Sequence, residues 1–412
     1  MTSQTYGAPQ SGDPGSDRRG TPMHPWRFVV AFGVVSLLAD MVYEGARSII
    51  GPYLATLGAS ATVVGLVAGA GEFIGYGLRV VSGYAVRRTR HYWAWTITGY
   101  ALTVLSVPFI GVTGLIVPAL LLYGTERLGK AVRSPAKDTL LSYAASRTGR
   151  GSAFGVHQAL DQTGAVLGPL LLAGILAWRT GDFRLAFGVL LVPGLAVLAV
   201  LTWLRFRVPD PAVYEDEPRP TGASPAPQRE GLPARFWQYV AAVAVLSAGV
   251  ASFPLLAFHA VRTGLLDDAQ VPLLFAVAML VDGASGLVMG RVYDRRGVRV
   301  LLAVPLAAAV SVVAFTDSVA LVWIGVAVWG VVNGVLDSTV KAVVAEIVPS
   351  ASRAVAFGWL ALVRGLGLLV AGGVLGAAYD ASRTLLVVLV VAANAVALVA
   401  LALVLRRIER TA

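Results

Sequence analysis

Apolar residues gather along this chain in blocks of about 20, the length a helix needs to cross about 30 Å of hydrocarbon. Twelve blocks stand out, over residues 28–50, 61–82, 92–111, 115–134, 152–176, 184–204, 236–258, 270–290, 300–316, 319–341, 354–377 and 384–405. Short polar or basic stretches separate them. The pattern breaks once, after the sixth block, where residues 207–235 turn polar and rich in Pro and acid, the composition of a flexible linker. Residues 1–26 are also polar, rich in Gly, Pro and Ser, with no apolar core ahead of a cleavage site, and read as a disordered tail. The predicted plan is a six-helix bundle over 27–206, a cytoplasmic linker, a second six-helix bundle over 236–407 and a short tail at 408–412.

Composition narrows the class. The chain is 57% apolar and 14% charged, with a mean hydropathy of +0.73, whereas soluble domains run about 45–50% apolar and about 25% charged. A soluble enzyme is excluded on that ground. The net charge of +10 would suggest nucleic acid in a soluble protein, so the location of the charges decides. With the N-terminus in the cytoplasm, 24 of the 33 Lys and Arg fall on the cytoplasmic side, 5 on the other and 4 within spans. The excess charge is therefore topological. It predicts a multi-pass protein of the cell membrane with both termini cytoplasmic, whose partner is the bilayer and not nucleic acid.

Cysteine is absent and the four histidines lack ligand spacing, so no disulfide, metal or cofactor is expected. Gly124-x4-Gly129-Lys130 imitates a phosphate-binding loop, but Ala131 stands where the metal-binding hydroxyl belongs and no strand precedes it. Lysine occurs only at Lys130, Lys137 and Lys341, against 30 arginines.

The two halves echo each other, the mark of a duplicated bundle. Arg150-Gly-Ser-Ala-Phe-Gly155 realigns with Arg353-Ala-Val-Ala-Phe-Gly358 at an offset of 203, which pairs Gly164 with Gly367 and Asp161 with Arg364. The loop from Gly83 matches the loop from Gly290 at an offset of 207. That second loop carries Gly290, Asp294, Arg295, Gly297 and Arg299 in the form G-x-x-x-D-R-x-G-x-R. Glycine permits its tight turn, and Asp294 reads as a latch to a neighbouring helix end. Its counterpart in the first copy is Arg87. In the fifth span Gly155 is followed by Gly164 and Gly168-Pro169, a small-residue face for close helix approach with a proline that permits a bend.

These features resemble the major facilitator superfamily of secondary transporters over nearly all of residues 26–407. Residues 290–299 look like its loop motif. Gly155, Gly164, Gly168 and Pro169 look like the fifth-helix signature of its proton-coupled drug exporters, with Leu172-Ala173 where that signature usually ends in two glycines. Glu126 to Asp138 resembles a subgroup of bacterial permeases, which would carry Asp at 126 and Arg at 137. The resemblance implies an all-α membrane protein of twelve transmembrane helices in two pseudo-symmetric six-helix bundles, without enzymatic activity, working by alternating access. In the superfamily, helices one, four, seven and ten line the central cavity, which puts Asp40, Glu44, Glu126 and Arg127 near the substrate.

An ionisable side chain at bilayer depth costs roughly 2.5–3.5 kcal/mol, so each one is a functional expectation. Asp40, Glu44, Glu126 and Asp161 are the proton-coupling candidates, since burial raises a carboxyl pKa and a nearby Arg lowers it again. Arg127, as switching partner, joins Asn333, Tyr43 and Trp329 as cavity candidates, with Tyr76 and Trp359 as further aromatic walls. Glu72, Arg79, Asp282 and Arg364 are gate or ion-pair candidates. Two arrangements are open: Arg79 with Asp161 and Asp282 with Arg364 inside each half, or Glu72 with Arg364 between halves. Asp337 and Lys341, four apart, read as a solvated surface pair. The leading expectation is a monomeric exporter exchanging protons for small amphipathic or drug-like molecules. A proton symporter or facilitator importing a metabolite, and a non-transporting receptor or scaffold, are the alternatives.

Overall fold

The computed structural model describes residues 23–214, 232–349 and 352–409. Most of the predicted tail over 1–26, most of the 207–235 linker and the end of the 408–412 tail lie outside the described residues. In the N-terminal half, α1 (Pro25–Thr56), α2 (Ala61–Thr89), α3 (Tyr92–Ile110), α4 (Ile116–Thr148), α5 (Arg150–Trp178) and α6 (Phe183–Arg207) follow in order. The C-terminal half holds α7 (Ala234–Arg262), α8 (Gln270–Arg296), α9 (residues 297–315), α10 (Val319–Ile347), α11 (Arg353–Ala381) and α12 (Arg383–Glu409). α6 breaks at Leu190, α7 unwinds over 249–252, and α9 joins the 3-10 turns Gly297–Leu302 and Ser311–Phe315 to the helix Ala303–Val310.

Length and composition qualify 10 described segments to cross a membrane. The count falls short of twelve for two physical reasons. α8 and α9 run together as one apolar stretch of 46 residues, and α4 carries too many charges to qualify. α4 is nevertheless a continuous helix of 33 residues, about 50 Å at about 1.5 Å per residue, so it overshoots the hydrocarbon. A charged turn ends a hydropathy run without ending a helix. Lys137 of α4, left outside the fourth block, therefore belongs to a helix, and Arg133, Lys341 and Arg47, counted with the membrane faces from the sequence, lie within α4, α10 and α1. The linker is corrected in the same way at its start. Trp93 Nε1 donates to the Val208 carbonyl at 3.0 Å and Arg147 Nε to the Tyr214 carbonyl at 3.0 Å, docking residues 208–214 under the N-terminal half.

The halves repeat one packing scheme. α5 lies on α1 at Gly164 and Gly168, where an added Cβ would fall 2.9 Å from Leu37 Cα and 2.8 Å from Met41 Cα. α11 lies on α7 at Gly367, where it would fall 2.9 Å from Ser247 Cβ. Between the halves, α2 meets α11 through Gly65, Gly69, Gly372 and Gly376, close enough that a Cβ on Gly69 would sit 2.9 Å from Leu369 Cα. α5 meets α8 where Gln162 Nε2 donates to the Met279 carbonyl at 2.5 Å.

The two faces of the bundle differ. On the face where α1 ends and α2 begins, the distal face, Asp380 of α11 accepts the amides of Ala61 and Thr62 at 3.0 and 2.8 Å, capping α2 from the other half. On the opposite face, which carries Arg87, Arg88, Arg295 and Arg296, α2 turns at Arg90 with φ 54° and α8 at Gly297 with φ 66°. The 207-residue offset puts a positive φ at the same point of both halves, but the turns differ: Arg90 is left-handed with ψ 15°, whereas Gly297, with ψ −158°, takes a conformation essentially reserved for glycine. Asp294 is exposed and makes no ion pair among the described residues, so the expected latch is not engaged here.

Candidate functional site

A cavity of about 1090 Å³ lies between the halves. Its lining reaches toward the arginine-rich face at Lys137 and Asp138 of α4, Gly155 of α5, Leu287 of α8 and Lys341 of α10. On the distal side it stops at Gly69, Ser252 and Gly372, where α2 and α11 close together. The cavity is therefore open to the arginine-rich face and shut at the distal one. Seven acidic and seven basic side chains line it.

The acids and bases are not arranged alike. Arg47 of α1 lies 3.5 Å from Glu44 and 3.2 Å from Glu72, which in turn lies 3.5 Å from Arg127. Arg127 and Glu126 contact each other at 2.6 Å, and both are 1% exposed. This chain of charges forms the cavity floor. Glu126 and Arg127, expected on the wall, are beneath it. Gly71 lets α2 press onto α4 there, with an added Cβ only 3.0 Å from Arg127 Cγ. Glu44 and Asp40 do line the cavity, and so does Asp161. Asp40 is 3% exposed, and its Oδ1 has no hydrogen-bond partner.

On the other wall Arg364 donates to Asp337 at 2.7 Å and lies over the Tyr76 ring at 5.4 Å. Arg79 lies over the same ring at 5.3 Å. None of the pairings expected from sequence, Arg79–Asp161, Asp282–Arg364 or Glu72–Arg364, occurs among the described residues. The partner of Arg364 is instead Asp337, which the sequence reading assigned to the surface. Asp337 is solvated, but by the cavity, and Lys341 lies on the same wall. Asp282 lines the cavity without an ion pair among the described residues.

Of the aromatic candidates, Tyr43 and Tyr76 line the cavity, whereas Trp359 is 43% exposed and stacks edge-on with Trp237. Trp329 reaches the cavity but donates its indole N–H to the Ala251 carbonyl at 2.8 Å, at the break in α7. Asn333 turns its amide back to the Trp329 carbonyl at 2.9 Å. In α5, Gly164 and Gly168 serve the packing on α1, and Gly155 opens onto the cavity.

Residues 32–371 match the Major Facilitator Superfamily. The chain belongs to that superfamily. An uncharacterized protein of Mycobacterium tuberculosis is 51% identical over 377 residues, 91% of this chain and 92% of that one. An uncharacterized MFS-type transporter of Methanocaldococcus jannaschii is 27% identical over 184 residues, 45% of this chain and 46% of that one. Among solved structures, the nucleoside transporter NupG superposes with a TM-score of 0.74 at 12% identity, covering 92% of this chain and 99% of that one. The peptide transporter POT, with sulfate bound, gives 0.74 at 16%, covering 96% and 97%. A bacterial homolog of the lysosomal transporter Spinster, inward-facing and occupied, gives 0.67 at 17%, covering 95% and 98%. These likenesses concern the fold.

As a superfamily member the chain is a multi-pass membrane transporter and not an enzyme, with the twelve-helix fold expected of it. The residues missed from sequence are Arg47, Lys130, Arg133, Lys137, Asp337 and Lys341, all on the cavity wall. One signal for them was present. All three lysines of a chain that otherwise uses arginine line this one cavity.

Proposed function

We propose that this chain is a proton-coupled secondary transporter, that its arginine-rich face is cytoplasmic, and that its solute is small and ionised rather than an amphipathic drug. The observation that carries the reading is the cavity wall, where Asp40, Asp161 and Asp282 stand without ion pairs among seven basic side chains. Carboxyls in such a place are suited to hold and release protons as the cavity changes sides. A wall of fourteen charged groups suits ionised solutes better than apolar ones.

Exchange of the solute for protons, which is export, is the direction supported by the glycine pattern of α5. Co-transport is the second reading, favoured by the cations of α4, which repel a cationic solute competing for Asp40. Proton flux in oriented proteoliposomes, with an internal pH dye and a panel of cationic, neutral and anionic solutes, separates them. Counterflow supports exchange, and flux in one direction supports co-transport. Asp40→Asn and Asp161→Asn are expected to remove the proton signal while solute still moves down its own gradient. Wild-type proton signals in both variants would overturn the proposal.

A further inference from the structure

We infer that the face of α4 formed by Lys130, Arg133 and Lys137 seats the anionic group, a carboxylate or phosphate, of the transported solute. The inference rests on the central cavity being the transport site. Positions 130, 133 and 137 share one helical face, and all three line the cavity.

Their partners set these cations apart. Arg47, Arg127 and Arg364 hold carboxylates at 3.2, 2.6 and 2.7 Å. The three on the α4 face are held mainly by rings. Lys130 Nζ lies 4.0 Å from the Tyr43 centroid, Arg133 Cζ 4.2 Å from that of Tyr100, and Lys137 Nζ 3.3 Å from His157 Nε2. The carboxylates nearest the two lysines are at the limit of ion pairing, Glu44 at 3.9 Å from Lys130 and Asp138 at 4.0 Å from Lys137. Arg133 makes no ion pair among the described residues, is 3% exposed, and its Nε has no hydrogen-bond partner. A buried guanidinium held by two aromatic faces, with a donor left over, is a fork awaiting an oxyanion. The flanking ammonium groups adapt to either carboxylate or phosphate because they act as point charges.

The groups facing this seat are Asp40, Tyr43 and Glu44 of α1, Glu72 of α2, Tyr100 of α3, Glu126, Arg127 and Asp138 of α4 itself, and His157 and Asp161 of α5. A proton added to Asp40 or Asp161 removes a negative charge from beside the seat and strengthens its hold on an anion. Proton and anion then bind together, which is the arrangement of a co-transporter.

The lysine inventory supplies the test. The full chain in detergent is acetylated with a neutral amine reagent, and modification at each lysine is read by mass spectrometry. Inorganic phosphate and succinate are the probes, against chloride at matched ionic strength. At ten times its dissociation constant an anion leaves about a tenth of its sites open, so modification of Lys130 and Lys137 should fall about tenfold. Lys341, in the same cavity on the other half, should not change. Equal modification of all three lysines with and without either probe overturns the inference. Arg133→Gln should raise the probe concentration needed by about tenfold, and Arg133→Lys by less. Wild-type modification of Lys341 in both variants certifies the fold. Protection without proton-linked flux keeps the seat and removes the transport reading. Flux unaltered by Arg133→Gln removes the seat and leaves the transport reading.

Discussion

The two halves of this transporter share a packing plan and divide the chemistry unequally. α1 brings Asp40, Glu44 and Arg47 to the cavity, whereas its counterpart α7 has no charged residue between Phe236 and Phe258. α7 unwinds instead over 249–252, where Asn394 donates to the freed Gly249 carbonyl at 2.9 Å and Trp329 to that of Ala251. α4 and α10 share Ser-x-x-Lys, at Ser134 and Lys137 and at Ser338 and Lys341, but Arg133 of α4 is answered by Asp337 in α10. One half holds most of the charge and the other holds the break. The paired glycines Gly164 and Gly367 are kept in both halves, where any side chain strikes a backbone, whereas Gly168 is answered by Ala371. The cavity wall had room to diverge.

The sharpest test of that asymmetry is Glu72→Gln. It leaves Arg47 and the sealed Arg127 without their shared carboxylate, and although Glu44 and Glu126 remain to them, losing a part-buried charged partner costs about 1–3 kcal/mol. Asp337→Asn, in the solvated pair of the other half, should cost about 1 kcal/mol or less. Unfolding in detergent compares the two, and equal losses would erase the distinction. Of the same order, Gly164→Val and Gly367→Val should each cost about 1–3 kcal/mol through overpacking, and should cost alike. A tolerated Gly367→Val would make the packing symmetry nominal. The smallest effects concern the paired turns. Arg90→Gly should gain up to about 1 kcal/mol by relieving a left-handed arginine, and Gly297→Ala should lose at least about 1 kcal/mol by forcing a side chain into a glycine-only conformation. Opposite signs at equivalent positions are the expected signature.

The fold was legible because hydrocarbon imposes a length on every helix and a sign on every loop. The site was legible only in part, because hydropathy measures depth poorly once a helix outruns the bilayer. Asp40 and Asp161 stood out in apolar surroundings. Arg133, Lys137 and Lys341 did not, since basic residues at the end of an apolar block read as belonging to the membrane face and not to a cavity. Glu126 and Arg127 were found as charges and given the wrong side. Which side of α4 faces the cavity depends on where Gly71 lets α2 approach, and that is a contact 55 residues or so away in sequence.

Asp380 has a further consequence. It belongs to one half and holds the first two amides of a helix in the other, so parting the halves on the distal face leaves α2 with its Ser60 cap alone, at a cost of about 1 kcal/mol. The toll is small enough for a single bound solute to meet. It also leaves a mark. The amides of Ala61 and Thr62 are held by Asp380 only while the distal face is shut, so their exchange with deuterated solvent keeps a running clock of how often that face opens.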